Sequence, residues 1–346
     1  MDKIFKINNS LIGEEQPPYI IAEACINHEG DINIAKQMIF SAKANNVNCI
    51  KFQYHVLDDE MLNEAPQSHN FKETLYDALD RTNFSLEQHN ELKTLCESIG
   101  IDYLCTPFSR ASADILDEEL NVSFFKVGSG ELTNLPLQKH IAAKGKPMII
   151  STGMSTFEEV KETVDCVKKF DIPFALTHCI SAYPAPYEIT NLGVIKRYAE
   201  AFEIPVGFSD HSVGIYTALG AVAHGACIIE KHFTFDRTAE GPDHLSSIEP
   251  YEMGELVKGC NAIHLSKGSE RKIFDEEKEI VAWARETVVS TEDIKQGEIL
   301  TESNISVKRP SPKDGSIPAK HLEEIIGKIA KSDIANNKQI RWDEVE

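Results

Sequence analysis

The sequence lacks a basic face: it has 35 lysines and arginines against 55 aspartates and glutamates, a formal net charge of -20. Nucleic-acid binders concentrate positive charge on one surface, so that class is excluded. An acidic chain also repels anions at long range, and any anion site must be built locally from lysines and backbone amides. No window approaches the roughly 18 consecutive apolar residues of a membrane span. Residues 1–6 have no apolar stretch of the signal-peptide kind, so the expected address is the cytoplasm. The eight cysteines (25, 49, 96, 105, 166, 179, 227 and 260) form no C-x-x-C pair. That removes zinc knuckles and dithiol redox motifs, and the cysteines read as small buried hydrophobes kept reduced. No G-x-G-x-x-G follows the first strand-like run, and the GSGE at 128–131 is not followed by G-K-[ST], so neither dinucleotide fingerprint nor Walker loop is present. The tail has no repetitive threonine array of the kind used to bind ice.

What is present is alternation. The length of 346 residues suits a barrel of about 250 residues with a small appendage. Short apolar runs at 19–23, 47–53, 101–105, 123–127, 147–151, 173–179, 204–208 and 226–230 read as strands buried on both faces. Between most of them lie helical patterns at 33–45, 85–99, 110–119, 156–169, 192–201 and 213–224. Thr156 with Glu159 forms a capping box, and Ser85 to Gln88 resembles another helix start. Eight strands, each followed by a helix-sized segment, is the count of an α/β (β/α)8 TIM barrel. A doubly wound open sheet is the competitor, weakened by the missing glycine fingerprint. The long polar loop at 54–84 is expected to be functional or mobile. Past residue 283 helical periodicity gives way to short β-like pieces, and 291–305 (TEDIKQGEILTESNI) aligns with 331–345 (KSDIANNKQIRWDEV). Two such copies predict one small pseudo-symmetric β domain. The expected division is a catalytic barrel at 1–283 and a β-rich domain at 284–346.

In such a barrel the active site forms at the C-terminal strand ends, and here all eight ends are polar. They carry Glu23, Asn27 and His28; Lys51 and Gln53; Thr106; Lys126, Ser129 and Glu131; Ser151; His178, Ser181 and Tyr183; Ser209, Asp210 and His211; Lys231 and His232. Lys51, Lys126, Ser129, Ser151 and Ser209, with the amides around Gly128 and Gly130, suit an anion. A strand-end lysine equally suits a Schiff-base aldolase. His211 and His232 follow neighbouring strands about 4.8 Å apart. They can converge on one divalent ion such as manganese, or form a hydrogen-bonded pair; residue types leave both open. Glu131 and Glu23 are acid/base candidates or ion-pair partners of a lysine. Consecutive Ser209, Asp210 and His211 cannot adopt relay geometry.

The motifs IAEACINHEGD (21–31), KFQ (51–53), CTPF (105–108), KVGSGE (126–131), ISTGM (150–154), HCISAYPAPYE (178–188), GFSDHS (207–212), EKHFTFD (230–236) and GPDH (241–244) occur in this order. Together they resemble the sialic acid synthase family over nearly the whole chain, and NISVKRP (304–310) with GKIA (327–330) resembles its small C-terminal antifreeze-like (SAF) domain. The resemblance implies condensation of phosphoenolpyruvate with an N-acyl hexosamine in a domain-swapped homodimer. It implies Mn2+, or Mg2+ or Co2+, on His211 and His232. It implies phosphoenolpyruvate on Lys51, Thr106, Lys126, Ser129, Ser151, Ser181 and Ser209. Glu131 would stand beside the reacting centre, Glu23 near the metal's water, and Tyr183, Asp243 and a partner's Arg309 near the sugar. No nucleic acid or membrane partner is implied. The sequence departs from the family pattern at Cys25, where relatives commonly have glycine, and after Lys308-Arg309-Pro310, where Ser-Pro-Lys-Asp-Gly replaces a shorter glycine-rich turn. KVGSGE and GPDH are closer to the N-acetylneuraminate and legionaminate branches than to the pseudaminate branch. The rival readings are a Schiff-base aldolase and a non-catalytic sugar-binding protein.

Overall fold

A computed structural model describes residues 3–62 and 74–346. The chain divides into two compact units, Met1–Gly268 and Ser269–Glu346. In the first, eight strands form one parallel sheet: β1 (Tyr19–Glu23), β2 (Cys49–Tyr54), β3 (Asp102–Pro107), β4 (Phe125–Val127), β5 (Met148–Ser151), β6 (Phe174–Cys179), β7 (Val206–Asp210) and β8 (Ile228–His232). Their spatial order is β3-β2-β1-β8-β7-β6-β5-β4. β3 and β4, the ends of that order, pack against each other, so the sheet is a nearly closed TIM-like barrel.

Several strands run further than their sequence patterns suggest. β3, β7 and β8 extend through Thr106, Asp210 and His232, because polar residues that read as loop continue the ladder at the barrel mouth. Side chains alternate across a strand, and this sorts the residues into two layers. One set packs outward under the helices: Ile20 and Ala22 of β1, Ile50 and Phe52 of β2, Ile150 of β5 and Ile229 of β8. The inward set begins apolar. Tyr19, Ile21, Cys49, Leu104, Phe124, Ile149, Ala175 and Ile228 form a separate cluster, joined by Phe5, Ile7 and Ile12 of an N-terminal hairpin. Fully burying an apolar side chain of this size contributes roughly 1.5–3 kcal/mol. Further along the same strands the inward positions become Glu23, Lys51, Thr106, Lys126, Ser151, Ser209, Glu230 and His232.

The helices start where local chemistry satisfies their free amides. The Thr156 side chain accepts from the Glu159 amide while the Glu159 carboxylate reaches back to Thr156, the capping box that the sequence predicts. Ser85 and Gln88 do the same for Leu86–Ile99, which ends on Gly100 at φ +72, the left-handed turn that closes many helices. Within 54–84, residues 63–73 lie outside the described residues; the rest holds two short helices, Leu57–Glu60 and Leu75–Thr82. No helix among the described residues is long and apolar enough to cross a membrane.

The second unit carries the predicted repeat. Ile294 and Ile334, equivalent in the two copies, exchange reciprocal backbone hydrogen bonds of 2.8 Å. Leu300 and Ile340, then Ile305 and Val345, are equivalent pairs in one buried cluster. Gly297 and Asn337 occupy the matching turn at φ +86 and +59, a conformation that glycine and asparagine tolerate best. Thr287–Ser290 pairs antiparallel with Ile305–Lys308.

Candidate active site

A cavity of about 670 Å³ opens at the C-terminal strand ends, within the usual range for small-molecule sites. It gathers the sequence-predicted residues of the barrel: Glu23, Lys51, Thr106, Lys126, Ser129, Glu131, Ser151, Ser181, Tyr183, Ser209, His211, His232 and Asp243 all line it. Arg309 belongs to the second unit, where its guanidinium lies 5.9 Å from the Trp283 ring centroid.

Register explains the convergence. Glu23 pairs with Lys51 across β1 and β2, and with His232 across β1 and β8. Ser209 pairs with Glu230 across β7 and β8. The floor is therefore a charge network. Lys51 forms ion pairs with Glu23 and, at 3.3 Å, with Glu230. Lys126 lies 3.6 Å from the same Glu230 and donates to the Ser151 hydroxyl at 2.6 Å. Burial favours a neutral Glu230, but Lys126, Lys51 and a 2.8 Å hydrogen bond from Ser209 outweigh it and hold the carboxyl well below its usual range. Burial, aided by the neighbouring Lys126, lowers Lys51 to about 8, against the pull of Glu230.

Above the lysines the hydroxyls lie close together. The Gly153 amide donates to the Ser129 hydroxyl at 3.1 Å, and a Cβ on Gly153 would meet the Ser181 oxygen at 2.2 Å and the Ser129 oxygen at 2.7 Å. The absent side chain is what lets both serines approach. The Thr106 and Ser181 hydroxyls are buried without hydrogen-bond partners. Such groups cost of order 1–3 kcal/mol each, which fits donors aimed at a ligand. Glu131 follows β4 in a short 3-10 turn, and one of its carboxylate oxygens is likewise unpartnered. Burial, then the charge of Glu60, pushes its pKa up to about 7.

The histidines suit a cation. The His211 Nδ1 is 2.8 Å from the Ile180 carbonyl, a contact that puts the ring proton on Nδ1 and leaves the Nε2 lone pair for a cation. Its ring centroid is 5.2 Å from that of His232. The His232 Nδ1 is buried and unpartnered. Burial, His211 and Lys51 keep His232 far below the ordinary histidine range, in the neutral form that ligates metal. Tyr183 stacks on His211 at 4.2 Å and meets His232 edge-on at 5.7 Å.

Residues 38–272 match the NeuB family, and residues 285–346 match the SAF domain. The chain belongs to the NeuB family. An N,N'-diacetyllegionaminic acid synthase of Legionella pneumophila is 35% identical over 350 residues, covering 96% of each chain. The human N-acetylneuraminate-9-phosphate synthase is 36% identical over 324 residues, covering 92% of this chain and 89% of its own. The crystal structure of an N-acetylneuraminic acid synthetase from Leptospira borgpetersenii, in complex with citrate, is 34% identical with a TM-score of 0.73, covering 81% of this chain and 96% of that one. This NeuB-family chain is accordingly an enzyme, a transferase of the sialic acid synthase type.

Not every polar strand-end residue of this NeuB-family chain faces the cavity. Lys231 and Asp210 point outward as a buried pair at 3.0 Å, tied to Thr217 and the Ser212 carbonyl. His178 also turns outward, its Nε2 2.7 Å from the Thr190 carbonyl. Asn27 binds the Phe233 carbonyl and Ser247, and His28 stacks on Phe84 at 4.2 Å. Sequence reasoning missed Glu230, the hub of the lysine network. The signal was available: Glu230 stands two residues before His232 and must share its face.

Proposed function

We propose that the protein condenses phosphoenolpyruvate with the open-chain form of N-acetylmannosamine or a close N-acyl hexosamine, plus water, to give a nonulosonic acid and phosphate. The observation that carries this reading is the convergence of Lys51 and Lys126 with the unpartnered hydroxyls of Thr106 and Ser181. Two ammoniums and several directional donors match a carboxylate and a phosphate on one small molecule. A divalent ion on His211 and His232, manganese or else magnesium or cobalt, would supply Lewis-acid polarisation of the acceptor aldehyde.

The chain's own residues do the rest. Lys51 and Lys126 hold the anionic groups of phosphoenolpyruvate, and Ser129, Ser151, Ser181, Ser209 and Thr106 orient them. Carbon 3 of phosphoenolpyruvate forms the new bond to the aldehyde carbon, water adds at carbon 2, and the bond from carbon 2 to the phosphate oxygen breaks as carbon 2 becomes the ketone. The two protons of the water end on the former aldehyde oxygen, now a hydroxyl, and on the departing phosphate. Glu131, raised to about 7, accepts the proton that the water loses, since a base near the working pH is the most effective one. Glu23 orders water near the histidines, and Tyr183 and Asp243 meet the sugar. In a domain-swapped homodimer Arg309 of the partner subunit reaches the acyl group. A cytoplasmic address agrees with eight cysteines that are all free and buried. The legionaminate acceptor, 2,4-diacetamido-2,4,6-trideoxymannose, is the alternative substrate.

One observation favours a second reading. A buried lysine lowered to about 8, as Lys51 is, is also what a Schiff-base enzyme requires. Borohydride treatment in the presence of pyruvate separates the two. We expect no covalent adduct by mass spectrometry and saturable binding of phosphoenolpyruvate that Lys126→Ala removes. An adduct on Lys51 or Lys126 would replace the proposal with the aldolase reading.

A further inference from the structure

Cys25 lies just past β1 at φ +44. Left-handed backbone of this kind costs a residue with a side chain on the order of 1 kcal/mol and costs glycine nothing. The strain is held in place: the Cys25 amide donates to a Glu23 carboxylate oxygen at 2.7 Å. The effect is to keep a thiol in the wall of the cavity. A ligand atom of Cys25, one of His232 and one of Asp243 all lie within 4.8 Å of one another, the one such group among the described residues. That span is comparable to two bonds of roughly 2.3 Å meeting at one ion. The three residues are 7%, 7% and 9% exposed, and the His232 Nδ1 is buried without a partner. Packing alone would explain a small apolar residue against Ile26, Leu57 and Leu79. It does not explain a side chain on strained backbone whose sulfur lies within 4.8 Å of an imidazole nitrogen and a buried carboxylate oxygen.

We propose that Cys25 is a metal ligand: its thiolate joins His232 and Asp243 in holding the divalent ion and turns the site toward thiophilic cations. This rests on the reading that a divalent ion sits at His211 and His232. Sulfur selects for cobalt, zinc and ferrous iron over manganese and magnesium.

The test is a titration of the metal-free, full-length protein with Co2+, followed in the near ultraviolet, for wild type, Cys25→Gly and Cys25→Ser. Glycine relieves the backbone strain, so the first variant keeps the fold; circular dichroism checks it. The wild type should develop a thiolate-to-cobalt charge-transfer band that both variants lack. Cys25→Gly should also bind Co2+ at least about tenfold more weakly, the scale on which even outer-shell partners are felt. Its affinity for Mn2+ should change less than that for Co2+. Cobalt bound by all three proteins with no band in the wild type, or a band that survives in Cys25→Gly, overturns the ligand role and leaves the histidine reading standing. A weaker affinity without a wild-type band is a packing effect and overturns it too. No cobalt binding to any of the three removes the histidine reading together with the proposal.

Discussion

At the N-terminal end of the barrel the inward side chains are Tyr19, Cys49, Phe124 and Ile228. A few residues along the same strands they are Glu23, Lys51, Lys126 and His232. The lower end is an apolar plug closed by the hairpin residues Phe5, Ile7 and Ile12. The upper end buries two lysines against two carboxylates and leaves the hydroxyls of Thr106 and Ser181 unpartnered. Apolar burial stabilises at every pH. Buried charges return little net stability even when paired, and unpartnered donors cost some. One end thus contributes stability, and the other holds groups in a form that only a ligand completes.

The comparison makes opposite predictions for its two ends. At the mouth, Glu131→Gln should lower turnover by about 10²–10⁴-fold, the usual share of a general acid/base. It should remove the limb near pH 7 from the pH profile of kcat/KM. Stability should move the other way. A carboxyl whose folded pKa is raised to about 7 stabilises below its unfolded value and loses that contribution as pH rises through 7. Glu131→Gln should therefore be more stable than wild type at pH 8, by about 3 kcal/mol, and similar to it at pH 4. Thermal melts at both values check this, and a variant less stable at pH 8 would break the comparison. At the plug, Phe124→Ala should cost about 3–5 kcal/mol of stability and lower the melting temperature by several degrees. Activity per folded molecule should stay within about twofold, since Phe124 does not line the cavity. A large fall in kcat with an unchanged melting temperature would mean that the two ends are not separable.

How much of this was legible follows from strand physics. Alternating apolar and helical segments give the barrel, and the repeat at 291–305 and 331–345 gives the small unit, because each pattern states which face is buried. The polar strand ends point to the mouth, and every barrel residue assigned to the site lines the cavity. The facing of individual residues was harder. Lys231, Asp210 and His178 have the chemistry of site residues and point into the helix layer. Only the phase of alternation separates Lys231 from its neighbours Glu230 and His232, and that phase depends on β8 running to His232 rather than stopping at residue 230. Cys25 was visible as an unusual residue. Its left-handed backbone and its approach to Asp243 and His232 depend on loops distant in sequence.

The most direct measurement of the central claim is phosphate release from phosphoenolpyruvate by the metal-loaded enzyme, with N-acetylmannosamine, its 6-phosphate and 2,4-diacetamido-2,4,6-trideoxymannose offered in turn. We predict release that depends on the acceptor, is strong with one of the unphosphorylated sugars, and yields one phosphate per nonulosonic acid. Release that ignores the acceptor, or none from a folded and metal-loaded protein, would contradict the account.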